Sequence, residues 1–322
     1  MTAPVTAPES VDAPFATALV ELGRRRPDVV VLSADLSKYT DVLPFAEQFP
    51  DRFFQVGMAE QNMMGIAGGL AKSGLVPIAV TYGVFATRRA CEQVQMALAT
   101  GPARTAVVVA FLPGITTPFR ATHQATDDLS IMRAVPGMTV LDPMDATEMG
   151  QAIAAAVARP GPVYLRGLRG TVARLLPAGH RFRIGPPVPL RPGGDVGLVG
   201  TGLGSQWALE AADVLAGRGV AAGLLHVPTV KPFPDAELLD FADRYDLIVT
   251  VENHSTVGGL GSAVAEVLAD AGSATRLLRL GVPDVWAPAG PLDHIRRELA
   301  LDADGLAATV LARSAPSRRS TP

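Results

Sequence analysis

A single cysteine, Cys91, stands in a chain of 322 residues. No internal disulfide can form, and a cytoplasmic enzyme is the simplest reading. Long apolar runs are missing too. The longest, such as 105–112, fall far short of the ~20 residues a spanning helix needs, so no membrane segment is expected. Neither sign of charge dominates: the net charge is −3 and the pI about 6.0, which leaves no electrostatic footprint for nucleic acid. The first 14 residues are rich in Ala, Pro and Thr, without a basic segment leading into an apolar one. They read as a flexible start rather than a signal peptide, and the polar stretch 314–322 as a frayed tail. Aromatic residues make up only 5% of the chain, so each one near a motif is worth accounting for.

What is present in quantity is apolar aliphatic sequence. At 48% hydrophobic, the chain can bury two cores. Short β-branched runs at 28–32, 76–81, 105–111 and 162–165 alternate with helical patterns at 58–73, 84–99 and 146–158. Such alternation predicts an α/β fold with a parallel sheet covered by helices on both faces. Residues 176–192 are then crowded with Pro, Gly and Arg, a linker signal. A second series follows: strands at 195–201, 220–226 and 247–251, helices at 205–216, 235–244 and 260–271. The expectation is two parallel-sheet α/β domains, at 12–180 and 191–315, joined by a linker at 181–190, with no visible repeat between them.

Three segments in the first domain carry chemistry. Phe54-Gln55-Val56-Gly57-Met58-Ala59-Glu60-Gln61-Asn62-Met63 runs from a strand end into a helix with Glu60 in its first turn. Gly65, Ala67, Gly68 and Gly69 make that helix thin. On its own, Glu60 is simply a residue that suits a helix N-terminus. The run nevertheless resembles the pyrimidine-domain signature of transketolases and deoxyxylulose-phosphate synthases. In that family the glutamate bonds N1′ of the aminopyrimidine of thiamine diphosphate, which lets the 4′-nitrogen take the proton from thiazolium C2. The resemblance makes Glu60 that residue.

The other two segments follow in the family's order. Tyr82 and Phe85 match an aromatic pair that packs against the aminopyrimidine, and flat rings suit a planar heterocycle. Arg88 matches an arginine of the synthase and split-transketolase branches, although an ion pair with Glu92 one turn on explains it nearly as well. The resemblance also implicates Asp35, beyond the first strand, in cofactor binding. Thr122-His123-Gln124 lies in the loop 112–128, and loops at the ends of parallel strands are where α/β ligands bind. By resemblance His123 reaches the oxygen beside the reacting carbonyl, donating a hydrogen bond or moving a proton, with Gln124 beside it. Phe119 occupies the place, four residues earlier, where transketolases carry an aspartate that reads a donor hydroxyl. Arg166, with Arg169 as the alternative, matches an arginine that binds a sugar phosphate through its bidentate fork. Near the first helix, where many relatives have a phosphate-binding arginine, stand Asp12, Ala13 and Pro14.

The second domain, with its opening at 193–202 and its segment 251–262 containing Glu252-Asn253-His254, resembles the transketolase C-terminal domain and is assigned to assembly, not chemistry. Missing is the family's Gly-Asp-Gly sequence with its downstream asparagine, which holds Mg²⁺ and the diphosphate. The resemblance therefore implies half an active site and no metal ligand of its own. Thiamine diphosphate would be shared with an N-terminal partner subunit that holds most of the Mg²⁺ site, in an α₂β₂ particle acting on sugars. Competing readings are a synthase-like chain, a 2-oxo-acid dehydrogenase β-type subunit, a non-catalytic assembly subunit, and a dinucleotide-binding protein. The last rests on Gly200-Thr201-Gly202-Leu203-Gly204, but the next strand ends at Leu225-His226-Val227 with no acid for a ribose.

Overall fold

The computed structural model describes residues 9–101, 104–177 and 179–314. Of the expected flexible ends, 1–8 and 315–322 lie outside the described residues. Within them, 9–14 depart from the expectation. Glu9–Asp12 is a strand, antiparallel to Thr171–Arg174, and Pro14 opens the helix Pro14–Arg25, a position where its missing N–H costs nothing.

Seven strands form the first sheet, in the order Thr229–Lys231, Thr139–Leu141, Pro162–Arg166, Ala106–Phe111, Val76–Tyr82, Val29–Ser33, Phe53–Gln55. All run parallel except the first. Strand alternation explains why both faces are apolar. Val107, Val109 and Phe111 point into one core, while Ala106, Val108 and Ala110 point into another. Each of the Val and Phe side chains removed from water contributes roughly 1.5–3 kcal/mol. The second sheet has five strands, in the order Arg276–Val282, Leu247–Ser255, Val196–Gly200, Ala222–His226, Val188–Arg191. It too is sandwiched, with Leu198 and Leu224 on one face and Val199 and Leu225 on the other.

Three differences from the sequence reading have physical causes. First, residues 188–190, expected as linker, already belong to an edge strand of the second sheet, antiparallel to Ala222–His226. Second, Thr229–Lys231 leaves the second domain to pair with Thr139–Leu141 in the first sheet. A three-residue strand whose partner lies in the other domain has no local signature. Third, the helix expected over 84–99 is interrupted: Phe85–Arg89 and Val94–Ala99 are π-turns flanking the short α-turn Cys91–Gln93. π-turns recur at functional sites because they swing side chains out of α-helical register.

The two domains share a polar seam. Glu148, on the helix Ala146–Ala158, accepts from His226 Nε2 at 2.8 Å, and Ser205 Oγ stands 2.7 Å from His226 Nδ1. These three have the order of a hydrolase triad, but all are fully buried and no substrate reaches them. Close approach also explains the glycine turn that suggested a dinucleotide site. A Cβ on Gly202 (φ +47°) would lie 2.2 Å from the Asp142 carboxylate, and one on Gly204 would lie 2.3 Å from the Val251 carbonyl. Those glycines admit the other domain and the neighbouring strand, not a ligand.

Candidate functional site

Every motif of the first domain lies at or beyond the C-terminal end of a strand of its parallel sheet, where a doubly wound fold opens its ligand crevice. Glu60 begins the helix Glu60–Lys72 and is 1% exposed. Burying a carboxylate unpaired is expensive, and Arg89 Nη1 meets Oε2 at 2.9 Å. The same guanidinium lies over the Phe85 ring, 4.2 Å from its centroid. The π-turn brings these together, since Ala90 N bonds Phe85 O and the wider turn stacks residue 89 on residue 85. Phe85 in turn stacks on Tyr82, with centroids 5.9 Å apart.

His123 completes the cluster. Its ring meets Phe85 edge-on at 5.5 Å, Tyr82 at 6.0 Å and Phe119 at 5.2 Å. Its Nδ1 is 2.9 Å from Thr122 Oγ1, and among the described residues its Nε2 has no hydrogen-bond partner. Phe119 is largely exposed, as is Met58 before Glu60. The geometry thus joins Glu60, Phe85, Tyr82, His123 and Phe119 in one continuous chain of contacts, with Arg89 as a link to which the sequence assigns no role. Asp35 is exposed on the adjoining loop, where its N–H donates to Gln55. No contact among the described residues joins its carboxylate to the cluster.

Three candidates turn out to face elsewhere. Arg166 is 1% exposed and cannot meet a phosphate. Its guanidinium is committed to Asp128 (Nε to Oδ2, 2.9 Å), to Asp142 (3.1 Å) and to the Asn253 carbonyl (3.3 Å). As the last residue of a central strand it points into the seam. Burial alone would push the Asp128 carboxyl up, but the charge and hydrogen bonds of Arg166 hold it below its ordinary value; Asp142, where burial prevails, is raised. Arg169, three residues on and past the strand, is exposed. It lines a cleft of about 420 Å³ with Leu112, Thr116, Thr171 and Gln206.

Arg88 forms no pair with Glu92. It holds Asp127 through Nε (2.9 Å) and the carbonyls of Ala121 and Gln124 (2.7 and 3.1 Å), so it braces the His123 loop from beneath instead of facing a cofactor. Gln124 is buried, and its amide donates to Thr117 O and Pro288 O, both at 3.1 Å. It ties the loop to the second domain, which leaves its NH₂ committed away from any substrate.

Two family models match the chain: "Transketolase, pyrimidine binding domain" over residues 10–173 and "Transketolase, C-terminal domain" over 188–306. The chain belongs to the transketolase family, whose enzymes depend on thiamine diphosphate. It is 46% identical over 283 residues to a transketolase family protein of Sinorhizobium fredii, covering 87% of this chain and 82% of that one. It is 40% identical over 286 residues, 88% of each chain, to the 6-deoxy-6-sulfo-D-fructose transketolase subunit of a Clostridium species. A 1-deoxy-D-xylulose-5-phosphate synthase of Geobacter sulfurreducens is 36% identical over 313 residues, covering 94% of this chain but 48% of the synthase. Among solved structures, a split-gene transketolase described as an inactive beta4 tetramer superposes with a TM-score of 0.85 at 38% identity. That match covers 93% of this chain and 96% of the other. No described helix is long and apolar enough to cross a membrane.

Proposed function

We propose that this chain is the C-terminal subunit of a split transketolase, moving a two-carbon ketol unit from a ketose to an aldehyde only when joined to an N-terminal subunit. The carrying observation is the Glu60–Arg89–Phe85 arrangement. A flat nitrogen cation there bonds a buried carboxylate and covers an aromatic face. A planar nitrogen heterocycle presenting a ring nitrogen to Glu60 satisfies the same two surfaces, so the residues fit an aminopyrimidine. When bound, thiamine diphosphate supplies a stabilised carbanion equivalent at C2. Glu60 would hold a proton at the pyrimidine nitrogen, and Tyr82 and Phe85 would orient the ring and exclude water, with Asp35 at the rim. His123 Nε2 would donate to the substrate oxygen beside the reacting carbon. The partner would bring the diphosphate and Mg²⁺ ligands, in an α₂β₂ particle.

The donor pocket sets this subunit apart from ordinary transketolases. Phe119 offers His123 a ring where a hydroxyl-reading aspartate is expected, and an apolar ring cannot bond a hydroxyl. Asp12, near the expected phosphate arginine, bonds Thr171 at 2.6 Å and repels dianions. The exposed Arg169 and Arg120 remain as anion ligands. A deoxy, unphosphorylated or otherwise modified ketose is the proposed donor, consistent with a relative named for a sulfo-sugar. The test is reconstitution with an N-terminal chain that carries Gly-Asp-Gly. The chain alone should show no turnover, and the mixture should show it. Unphosphorylated or modified ketoses should give a kcat/KM at least equal to that of xylulose 5-phosphate. Ketol transfer by the chain alone, or a strong preference for the phosphorylated pentose, overturns the reading; decarboxylation of pyruvate onto a triose phosphate would mark a synthase instead.

A further inference from the structure

The strand Leu247–Ser255 is longer than its sequence pattern, which turns polar after Val251. Glu252, Asn253 and His254 are nonetheless all buried: Glu252 accepts from Leu260 N and Gly261 N, His254 accepts from Ser130 N, and Asn253 lies under the base of the loop that carries His123. That loop closes at its base: Gly114 N bonds Ala125 O at 2.9 Å, and Pro113 and Ala125 form a parallel bridge. Residues 116–123 arch outward from this base with Phe119, Thr122 and His123.

We propose that Asn253 is a positioning residue for His123, so that the second domain, assigned to assembly on sequence, shapes the substrate half of the site. The inference rests on the functional reading above for what His123 does, but not for where it sits. Asn253 Nδ2 donates to Pro113 O and Oδ1 accepts from Ile115 N, both at 2.9 Å. One amide thereby satisfies two main-chain groups on either side of Gly114, and the opposite polarity of those groups fixes its orientation. Gly114 has φ +57°, and a Cβ there would lie 2.1 Å from Asn253 Oδ1. The loop start and the amide are therefore built against each other. Lesser contacts from the same domain reach the far end: Ser255 N bonds Thr126 O at 2.8 Å and Pro288 O accepts from Gln124. Those use main-chain groups of the second domain, so among the described residues Asn253 is the one side chain there that grips the loop at two points.

Glu60 opens a helix, Tyr82 ends a strand and Phe85 lies in a π-turn, and none of the three is held by Asn253. The residue should therefore affect the substrate step and spare the cofactor step. The test uses Asn253→Ala and, from the loop side, Gly114→Ala, which pushes the loop off an intact Asn253. On the free chain, labelled at histidine, the His123 ε1 resonance is assigned with His123→Gln. It should lose the ring-current shift it owes to Tyr82, Phe85 and Phe119 in both variants, while His180, His226 and His294 stay in place. In the reconstituted complex, with hydroxypyruvate as donor, kcat should fall by about 10²-fold, as an ångström of misplacement costs. Hydrogen–deuterium exchange at thiamine C2 should stay within about twofold of the wild type. If Asn253→Ala does not fold, Gly114→Ala carries the same expectations. An unmoved His123 resonance with unchanged turnover overturns the proposal, and so does C2 exchange that falls as far as turnover. A wild-type complex without C2 exchange sinks the functional reading instead, and the histidine resonance still decides the positioning.

Discussion

The molecule places arginine, glutamate and histidine together twice, to opposite effect. In the seam between the domains, Arg166, Asp128, Glu148 and His226 are buried and bonded to one another or to main chain. In the crevice, Glu60 is just as buried, but its partner Arg89 is half exposed, and His123 keeps a nitrogen with no hydrogen-bond partner among the described residues. Residue type does not separate the two groups; access from the crevice does. A closed network stabilises and specifies a geometry, whereas an open one is available to a ligand.

The comparison is sharpened most by Glu60→Ala. The chain's own fold asks little of this carboxylate, since losing it leaves Arg89 to water. Folding should survive the change, because the guanidinium left behind is half exposed. Hydrogen–deuterium exchange at thiamine C2 in the reconstituted complex should slow by about 10²–10⁴-fold, the usual contribution of a positioned acid–base group. Exchange at the wild-type rate would reduce Glu60 to a helix-terminal carboxylate.

On the seam side the matching change is Glu148→Gln, read as stability. Burial alone would push this carboxyl up, but the charge of His226 and the hydrogen bonds of His180 and His226 outweigh it and hold it down to about 2, against 4.5 for an ordinary glutamate. A depressed carboxyl stabilises the fold at pH values above about 4.5, and that stabilisation disappears as the pH falls through about 2. The gap corresponds to about 3 kcal/mol. Urea denaturation should therefore show Glu148→Gln less stable by about that much at pH 7, with the deficit narrowing near pH 3. A deficit independent of pH would mean that shape, not charge, is what the seam requires.

The same distinction explains what was legible in the sequence. The alternation of β-branched runs with helical patterns yields both sheets, because strand and helix periods are local. The order of Glu60, Tyr82, Phe85 and His123 yields the crevice, because these residues sit at or just past strand ends. Arg166 was misread because one position at the end of a strand decides between pointing into the seam and reaching the crevice, and only the register settles which. Arg169, past the strand, has the exposure that the proposed role needs. Arg88 and Gln124 were misread for a related reason: a side chain that braces a loop from beneath carries the same motif as one that faces outward. Asn253 stood in a quoted motif, but its partners are some 140 positions away, and no spacing within the second domain announces them.

The smallest effect concerns a third surface, the outer face of the helix Glu60–Lys72. Gly68 is accounted for within the chain, because a Cβ there would lie 2.6 Å from Ala97 O. Gly65 and Gly69 are not: a Cβ on either meets nothing within 4 Å, and both are exposed. Glycine in an exposed helix interior costs about 0.5–1 kcal/mol relative to alanine, so this chain alone carries two residues that weaken it. A second copy approaching in the proposed α₂β₂ particle would account for them, since a helix face without side chains lets another backbone come close. Gly65→Ala and Gly69→Ala should then raise the midpoint of thermal unfolding of the free chain by a few degrees and weaken association of its copies, read by sedimentation over a concentration series. Gly68→Ala should instead destabilise the free chain, as overpacking does. If Gly65→Ala and Gly69→Ala stabilise the chain and leave association untouched, the copies meet through another face and the glycines serve neither region.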